Sequence, residues 1–448
     1  MVTPIATRDE LVSGWGRFGP RRARVARPDR AGRVGLALDA LGGAAIPRGA
    51  GRGYGDVATG ERILSSTALD RLLGFDPETG VLVAEAGVPL GTLVEVFLPK
   101  GWFPRAMPGT RHATLGGAVA ADVHGKNHAG TGAFGDSVRT LAVRLASGER
   151  VRVGMELEPD LFAATVGGLG LTGVIEEVEV GLARVPSAWI AHRRVPTVDL
   201  ADTLATLRAA PEPYAAAWID ARRAARGRGY VSAGDWAPAE VVRAAGIAEP
   251  FALAPPRDRA LPFVPPGWAL NRAVLAVHNA RTYARAAAAG LTDPWSFFAP
   301  LDAIADWNRL YGRRGLVQHQ CALPDVTADA AVAELLGALA ASGRPCFLAT
   351  LKRLGRVGRG MLSFPLPGIT LALDLKAAPR ELALMEALDA IVLSHGGRLY
   401  LAKDARASAS TVRAMEGERL ERFLAAKRTV DPTSRFASDL SRRLGWTP

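Results

Sequence analysis

The chain has 448 residues, of which 48% are hydrophobic and 22% charged. This is the composition of a globular protein with two or three domains, and it excludes fibrous repeats and long disorder. The net charge of +11 comes almost entirely from arginines that are scattered along the chain, which argues against nucleic acid as a partner. The two cysteines, Cys321 and Cys346, are too few for a disulfide framework or a cysteine-rich metal site, and we predict no metal.

Membrane insertion is not expected from the sequence. The N-terminal segment carries Asp9 and Glu10 and has no apolar stretch, so we predict no signal peptide. No uncharged apolar run reaches the length of about 18 residues that a spanning helix needs.

The first 185 residues mix helices and strands without the regular alternation of a doubly wound sheet. Apolar periodicity and glycine stops predict helices over 30–42 and 88–101. We predict strands over 44–47, 62–64 and 81–85, a hairpin over 141–153, and a strand that ends near 180.

The pattern becomes more conventional after Pro186. Helices are predicted near 200–210, 327–342 and 380–395, and strands near 214–219, 316–323, 345–352 and 369–375. Proline and aromatic residues crowd 249–300, which we interpret as a long, partly mobile insertion. The last fifty residues predict a polar helix and a capped terminal segment.

Three glycine-rich segments stand out in the first 185 residues. They are RGAGRGYGD (48–56), a stretch rich in Gly, Ala and Thr (107–138), and GGLGLTG (167–173). Glycines of the first segment can turn N–H groups toward a pyrophosphate, but no apolar helix follows, so it is not a Rossmann fingerprint. Three such segments in one region favour backbone lying close to a large flat ligand.

Together these segments resemble the FAD-binding domain of the vanillyl-alcohol-oxidase, or PCMH-type, flavoproteins over roughly residues 10–185. The whole chain is similar to the decaprenylphosphoryl-β-D-ribose 2-oxidase family of actinobacteria. The segments that carry this resemblance are SGWGR (Ser13–Arg17), GRGYGD (Gly51–Asp56), MPGTR (Met107–Arg111), HGKNH (His124–His128), FGDSVR (Phe134–Arg139), PLDAIADWNRLYG (Pro300–Gly312), GGRLYLAKD (Gly396–Asp404) and VDPTSRFASDLSRRL (Val430–Leu444).

The resemblance implies an α+β fold of two domains. The FAD-binding domain would comprise 1–185, completed by 396–448, and an antiparallel-sheet substrate-binding domain would comprise 186–395. The implied activity is oxidation of the 2-hydroxyl of a polyprenylphosphoryl-β-D-ribose to the 2-keto sugar, with FAD as hydride acceptor. A short-chain reductase would complete the epimerisation to arabinose for cell-wall arabinan. Two alternatives stay open: an FAD-dependent oxidase of a free sugar, alditol or aldonolactone, and a non-catalytic flavin-bearing scaffold subunit.

The resemblance also implies which residues hold FAD. They are Arg48, Gly49, Ala50, Gly51, Arg52, Gly53, Tyr54, Gly109, Thr110, Gly116, Gly117, Ala120, Val123, His124, Gly173, Val174, Ile175 and Tyr400. Many members of the superfamily tether the flavin through a histidine at the position of Arg52. A guanidinium cannot form that bond, so we expect non-covalent FAD.

Candidate catalytic residues lie in the same matched segments. Lys403 would stabilise charge on the reduced flavin or bond the reacting hydroxyl, and His124 would act as base or orienter. Lys126 is the third candidate, as a cation for the substrate phosphate. Candidate substrate-binding residues are Gln318, Gln320, Lys352, Thr370 and Trp218. Gln318 and Gln320 alternate along one strand, so both should face the same side of the sheet.

Two further features qualify the resemblance. The family pattern has Asn and Cys where this chain has Thr370 and Ala372, which leaves the exact substrate open. The segment 268–298 interleaves Arg272, Arg281 and Arg285 with apolar side chains. It predicts a helix that lies on an anionic bilayer, or an ordinary amphipathic helix packed on the domain. On the first interpretation the protein would be peripheral at the inner membrane, on a side that the sequence leaves open.

Overall fold

The computed structural model describes residues 5–222, 226–256, 259–261, 263–267 and 269–448. The strands of the described chain are β1 (Thr7–Val12), β2 (Arg21–Ala26), β3 (Ile46–Arg48), β4 (Arg62–Ser65), β5 (Leu72–Asp76), β6 (Val81–Glu85), β7 (Trp102–Pro104), β8 (Val138–Arg144), β9 (Arg150–Gly154), β10 (Val174–Arg184), β11 (Ile190–Thr197), β12 (Tyr214–Ile219), β13 (Gly229–Trp236), β14 (Arg259–Ala260), β15 (Ala288–Thr292), β16 (Ile304–Ala305), β17 (Leu316–Pro324), β18 (Leu348–Leu354), β19 (Gly368–Lys376) and β20 (Arg398–Leu399).

The α-helices alternate irregularly with these strands. They are α1 (Val34–Leu41), α2 (Leu90–Phe97), α3 (Leu115–Ala120), α4 (His128–Thr131), α5 (Pro159–Thr165), α6 (Leu200–Ala209), α7 (Ala239–Ala244), α8 (Arg272–Ala284), α9 (Pro294–Phe298), α10 (Ala328–Ser342), α11 (Pro379–Ser394), α12 (Ala409–Glu416), α13 (Glu418–Val430) and α14 (Asp439–Arg443). No helix within the described residues is long and apolar enough to cross a bilayer.

Two smaller sheets occupy the first half of the chain. One has four strands in the order β1-β2-β4-β3, with β2 and β3 parallel to β4. The other has the antiparallel order β5-β6-β10-β8-β9, and β7 pairs with the end of β10. The predicted hairpin over 141–153 is β8 and β9. The first glycine-rich segment follows β3, the second contains α3 and α4, and the third leads into β10.

A third, eight-stranded sheet dominates the second half. Its order is β15-β11-β13-β12-β18-β19-β17-β20, and all of its pairs are antiparallel. One face is apolar: Cys321, Leu371 and Leu351 stand side by side on β17, β19 and β18 and pack in the same core as α10 and α11. The opposite face carries Gln318 and Gln320, as the alternation in the sequence predicts.

The predicted insertion over 249–300 is built differently from the expectation. β15 pairs with β11 and extends the large sheet, and Trp295, Phe297 and Phe298 of α9 are buried in a core shared with β6, α2 and β7. The predicted amphipathic helix is therefore shorter than its segment. It is α8, which buries Leu275 and exposes Val274 and Val277; Trp268, at the start of the segment, lies outside the described residues.

The C-terminal segment returns to the first half of the chain. Phe436 packs beside α1, and its backbone bridges Ala45. The Lys427 ammonium is buried; it donates to the carbonyl oxygens of Leu171 and Phe436 at 2.9 Å each and to Asp431 at 2.7 Å. These contacts put the C-terminal segment against residues of the first 185, which is what completion of the first domain by 396–448 requires. The domain boundaries themselves stay a prediction.

Candidate active site

A deep cavity lies between the three glycine-rich segments and the polar face of the large sheet. It spans about 1680 Å³, counting the part that opens to solvent. The cavity is lined by these predicted residues: Arg48, Gly49, Ala50, Gly51, Arg52, Gly53, Tyr54, Gly109, Thr110, Gly116, Gly117, Ala120, Val123, His124, Gly173, Ile175, Gln318, Gln320, Lys352, Tyr400 and Lys403. Segments distant in sequence thus converge on one space.

The loop after β3 presents backbone amides to this cavity. Within the described chain, the N–H groups of residues 49–53 donate to no protein acceptor. These five residues line the cavity and are exposed or only partly buried, so their donors are open to a ligand; consecutive N–H groups of this kind suit an anion. Arg48 holds the loop from behind, because it donates to the carbonyl oxygens of Ala58 at 2.9 Å and Ser13 at 2.7 Å.

Glycines let this loop and the second segment approach each other. A Cβ on Gly49 would lie 2.2 Å from Thr114 Oγ1, and one on Gly51, whose φ is +65°, would lie 2.2 Å from Arg48 Nη2. Thr114 caps α3 by accepting from Gly117 N at 3.3 Å. No atom of the described residues lies within 4 Å of a Cβ built on Gly109, so this glycine borders open space.

The third segment closes the floor of the cavity. Gly170, Gly173 and Ile175 line it. Val174, which we expected beside FAD, instead packs with α1 in a separate apolar cluster. Successive residues of a strand point to opposite faces, so Ile175 and Val174 cannot both reach the cavity.

Arg52 stands at the cavity wall, over an aromatic ring. Its guanidinium carbon lies 4.0 Å from the ring centroid of Trp15, and its Nε has no hydrogen-bond partner among the described residues. Burial lowers the pKa of Arg52, which the nearby carboxylate of Asp302 opposes. An arginine here offers a cation to a ligand and no nucleophile for a covalent tether.

The polar face of the large sheet forms the opposite wall. Gln320 lies beside Ala372, which in turn lies beside Thr350, and all three line the cavity. Lys352 follows two residues after Thr350, and burial lowers the pKa of its ammonium to about 8. Gln318 donates from Nε2 to the buried carboxylate of Asp374.

Lys403 and His124 lie where these two walls meet. The Lys403 ammonium lies 3.6 Å from the ring centroid of Tyr54. Burial lowers the pKa of Lys403 to about 7; the negative charge of Asp374 raises it and the positive charge of Lys352 lowers it. Burial, followed by the charge of Lys352, holds the pKa of His124 well below its usual value. His124 is therefore neutral at neutral pH.

The hydrogen bonds of Gln320 define which nitrogen of His124 accepts. Gln320 Nε2 lies 3.2 Å from His124 Nε2 and 3.2 Å from Thr370 Oγ1. An amide nitrogen only donates, so with the amide in this orientation His124 Nε2 accepts and Nδ1 carries the proton. His124 Nδ1 has no hydrogen-bond partner within the described part of the chain. Tyr400 fixes the neighbouring backbone by donating to the Ala121 carbonyl at 2.9 Å and stacks on Phe364.

Three other predicted residues lie outside the cavity lining. Lys126 donates to the Phe297 carbonyl at 2.7 Å, with its ammonium 4.1 Å from the centre of that residue's ring. Thr370 is buried behind Gln320, and Trp218 stacks on Tyr230, one strand beyond Thr350. Lys126 thus binds α9. Thr370 and Trp218 do not line the cavity; each lies next to a residue that does, Gln320 and Thr350 respectively.

Several lining residues were not predicted. Asp302 accepts from Thr110 Oγ1 at 3.0 Å and from Arg111 N at 2.7 Å, which fastens the segment 300–303 to the second glycine-rich segment. Trp15 and Trp307 also line the cavity, with ring centroids 6.1 Å apart. These residues lie in the segments SGWGR and PLDAIADWNRLYG, so the family resemblance of those segments could have predicted them. Local periodicity does not indicate them.

Comparison with known proteins identifies the cofactor of this chain. A family described as an FAD-binding domain matches residues 34–154. The chain is 34% identical to a decaprenylphosphoryl-beta-D-ribose oxidase from Mycolicibacterium smegmatis, over 99% of both chains. It is 36% identical to an uncharacterized protein of the mprA 5' region from Streptomyces coelicolor, over 80% of this chain and all of that one. A D-lactate dehydrogenase from Anaerostipes hadrus is 30% identical over 36% of this chain and 35% of its own length.

These matches confirm the predicted FAD-binding fold of PCMH type and the predicted cofactor. The chain is an FAD-dependent oxidoreductase. The free amides of residues 49–53, the open space at Gly109 and the cationic Arg52 fit a dinucleotide with a pyrophosphate and a flat ring system. The individual residue roles and the non-covalent attachment stay predictions.

Proposed function

Because the chain belongs to the decaprenylphosphoryl-β-D-ribose oxidase family, we propose that it oxidises the 2-hydroxyl of a polyprenylphosphoryl-β-D-ribose to the 2-keto sugar. The observation that carries this proposal is the 34% identity over 99% of both chains to the Mycolicibacterium smegmatis enzyme. FAD, when bound, supplies a hydride acceptor. The reaction is the first half of an epimerisation to arabinose for cell-wall arabinan.

The charges of the site support an anionic sugar substrate. Lys352 and Lys403 lie at the wall of the cavity; the carboxylate of Asp374, behind Gln318, acts on Lys403, whereas Lys352 is shifted by burial alone. A phosphodiester would supply the missing negative charge. Free polyols carry no charge and would leave Lys352 without a counter-charge.

The polar side chains support recognition of hydroxyl groups. Gln318 and Gln320 of β17 and Thr350 of β18 present amide and hydroxyl groups from two strands of one sheet that flank β19. We assign Lys403 as the group that bonds the reacting hydroxyl, because its lowered pKa of about 7 lets it exchange a proton near neutral pH. His124 would orient Gln320 by accepting from its amide. Lys126 would hold α9 in place.

The experiment is anaerobic reduction of the FAD-loaded protein, followed by loss of the visible absorption of oxidised flavin. We expect a polyprenylphosphoryl-β-D-ribose to reduce the flavin and its 2-deoxy analogue to leave it oxidised. Lys403→Met should abolish most of this reduction, while Lys100→Met, on an exposed surface, should leave it intact. Flavin that stays oxidised with the ribose lipid refutes the proposal.

The same assay separates the alternatives. Reduction by free ribose, an alditol or an aldonolactone, but not by the lipid-linked sugar, would favour an oxidase of free polyols. Absence of reduction by every sugar, in a yellow and folded protein, would favour a scaffold subunit. Acid precipitation should release the flavin into the supernatant; yellow colour in the pellet would contradict non-covalent attachment.

We also propose two partners: a short-chain reductase that takes the 2-keto product, and a membrane surface that presents the lipid. The second rests on exposed apolar side chains of α8, namely Val274 and Val277, with Arg281 on the same helix. Co-sedimentation with vesicles of anionic lipid, reduced by Val274→Asp together with Val277→Asp, is expected. Equal sedimentation of both proteins would contradict this membrane contact.

A further inference from the structure

A buried carboxylate lies directly behind the cavity wall. Asp374 of β19 is fully buried and stands on the same face of the sheet as Ala372, which lines the cavity. Its Oδ1 accepts from Gln318 Nε2, and its Oδ2 has no hydrogen-bond partner among the described residues. An ionised carboxylate with an unpartnered oxygen is costly to bury, so packing alone does not account for an aspartate here.

The groups that face Asp374 come from five other segments. Gln318 of β17 donates to it, and the phenols of Tyr54 and Tyr311 and the thiol of Cys346 lie within reach of its charge. The one cation among the described residues that acts on it is Lys403, which lies over the ring of Tyr54. Lys403 in turn faces a second cation, Lys352, and lies near His124.

The Gln318 amide links this carboxylate to the cavity. Because its nitrogen donates to Asp374, its carbonyl oxygen is the end left to accept a hydrogen bond. Gln318 itself lines the cavity, as do Tyr54 and Lys403. Asp374 therefore does not line the cavity itself. It acts on residues that do, through its hydrogen bond with Gln318 and the effect of its charge on Lys403.

We propose that Asp374 is a positioning residue for the oxidation: its carboxylate is the counter-charge that favours the protonated form of Lys403 at the cavity wall, and it fixes the orientation of the Gln318 amide. This inference rests on the proposed function, since it assigns a role in that reaction. Burial of Asp374 raises its pKa to about 6, which the Gln318 bond and the Lys403 charge oppose, so it is mostly ionised at neutral pH. Lys352 acts in the opposite sense on Lys403.

The first test measures the protonation of Lys403 without any turnover. An amine reacts with an acylating reagent only when deprotonated, so the labelling rate of Lys403 against pH, read by mass spectrometry, gives its midpoint. In the FAD-loaded protein, Asp374→Asn should move this midpoint toward acid by about one pH unit or more. Lys352→Met should move it the opposite way, and the exposed Lys100 should label identically in all three proteins.

The second test uses the reaction. If the polyprenylphosphoryl ribose reduces the flavin, the pH dependence of that rate should shift toward acid in Asp374→Asn, and Asp374→Glu should restore part of the wild-type profile. An unchanged Lys403 midpoint in Asp374→Asn, with FAD still bound, would overturn the proposal. Should Asp374→Asn fail to fold, Asp374→Ser, which also removes the charge, takes its place and is judged by the same result. Failure of the sugar to reduce the flavin leaves the labelling result intact, so the two proposals fail separately.

Discussion

Gly55 is the position where a single methyl group should disturb the site most. A Cβ on Gly55 would lie 1.7 Å from the Asp404 carbonyl oxygen, 2.4 Å from its carbon and 2.9 Å from Ala405 Cα. Real Cβ atoms essentially never come within 3.0 Å of such atoms, so the backbone beside Lys403 must retreat by more than an ångström.

That backbone is held in place from three sides. The Asp404 carboxylate accepts from Arg406 N at 3.2 Å, from Ala407 N at 3.1 Å and from Arg443 Nη2 at 2.9 Å. We therefore expect Gly55→Ala to cost about 2–3 kcal/mol, the upper part of the range for overpacking. For a unit of about 200 residues, this lowers the thermal midpoint by about 4–12 °C.

The assay is thermal unfolding with and without added FAD. Gly55→Ala should melt lower in both and should gain less from FAD, because the same shift disturbs the loop of residues 49–53. Gly337→Ala is the matched control, since a Cβ there meets nothing within 4 Å and replaces a glycine inside α10; it should melt at or slightly above the wild-type temperature. A Gly55→Ala protein with wild-type melting and FAD affinity would refute this reading of the close approach.

Three further outcomes are expected. Lys427→Met leaves the buried Asp431 without its cation and should lower the free energy of unfolding in urea by about 3–5 kcal/mol. Arg413→Met, in an exposed pair with Glu421, should change that free energy little. Equal losses of stability in the two variants would contradict the role given to burial. Burial lowers the folded pKa values of Lys403 and Lys126 to about 7 and of Lys352 to about 8, below their usual value of 10.5. Between about pH 7 and 10.5 the unfolded chain therefore binds more protons than the folded protein. The stability of the apoprotein should therefore rise with pH across that window, and Lys403→Met should flatten the rise; an unchanged slope would contradict it. Finally, Cys321 and Cys346 are buried free thiols, and burial raises the pKa of Cys321 to about 12, so the native protein should resist a thiol-directed probe. The Ala372→Cys protein should react with the same probe, and bound FAD or substrate should protect it. An unreactive Ala372→Cys would contradict the placement of Ala372 at the cavity wall.

The sequence by itself determined the local elements and the chemistry available. Strand β6 has the bounds that its pattern predicts, and α10 and α11 agree with the predicted helices within a residue or two, because periodic apolar residues and glycine stops act locally. Three glycine-rich segments indicated a flat anionic ligand, since only glycine permits such close backbone approach. The resemblance of segments along the whole chain supplied the family.

Only the tertiary structure decided which side chains share the cavity. Strand alternation sends Val174 away from the space that Ile175 lines, and the burial of α9 ties Lys126 to Phe297. Asp302 joins the site from a segment 191 residues away from Arg111, and Asp374 lies 56 residues after Gln318 on another strand; no local pattern indicates either contact. Local propensity acts over a few residues, whereas the pKa of Lys403 depends on burial and on charged groups that only long-range packing brings together.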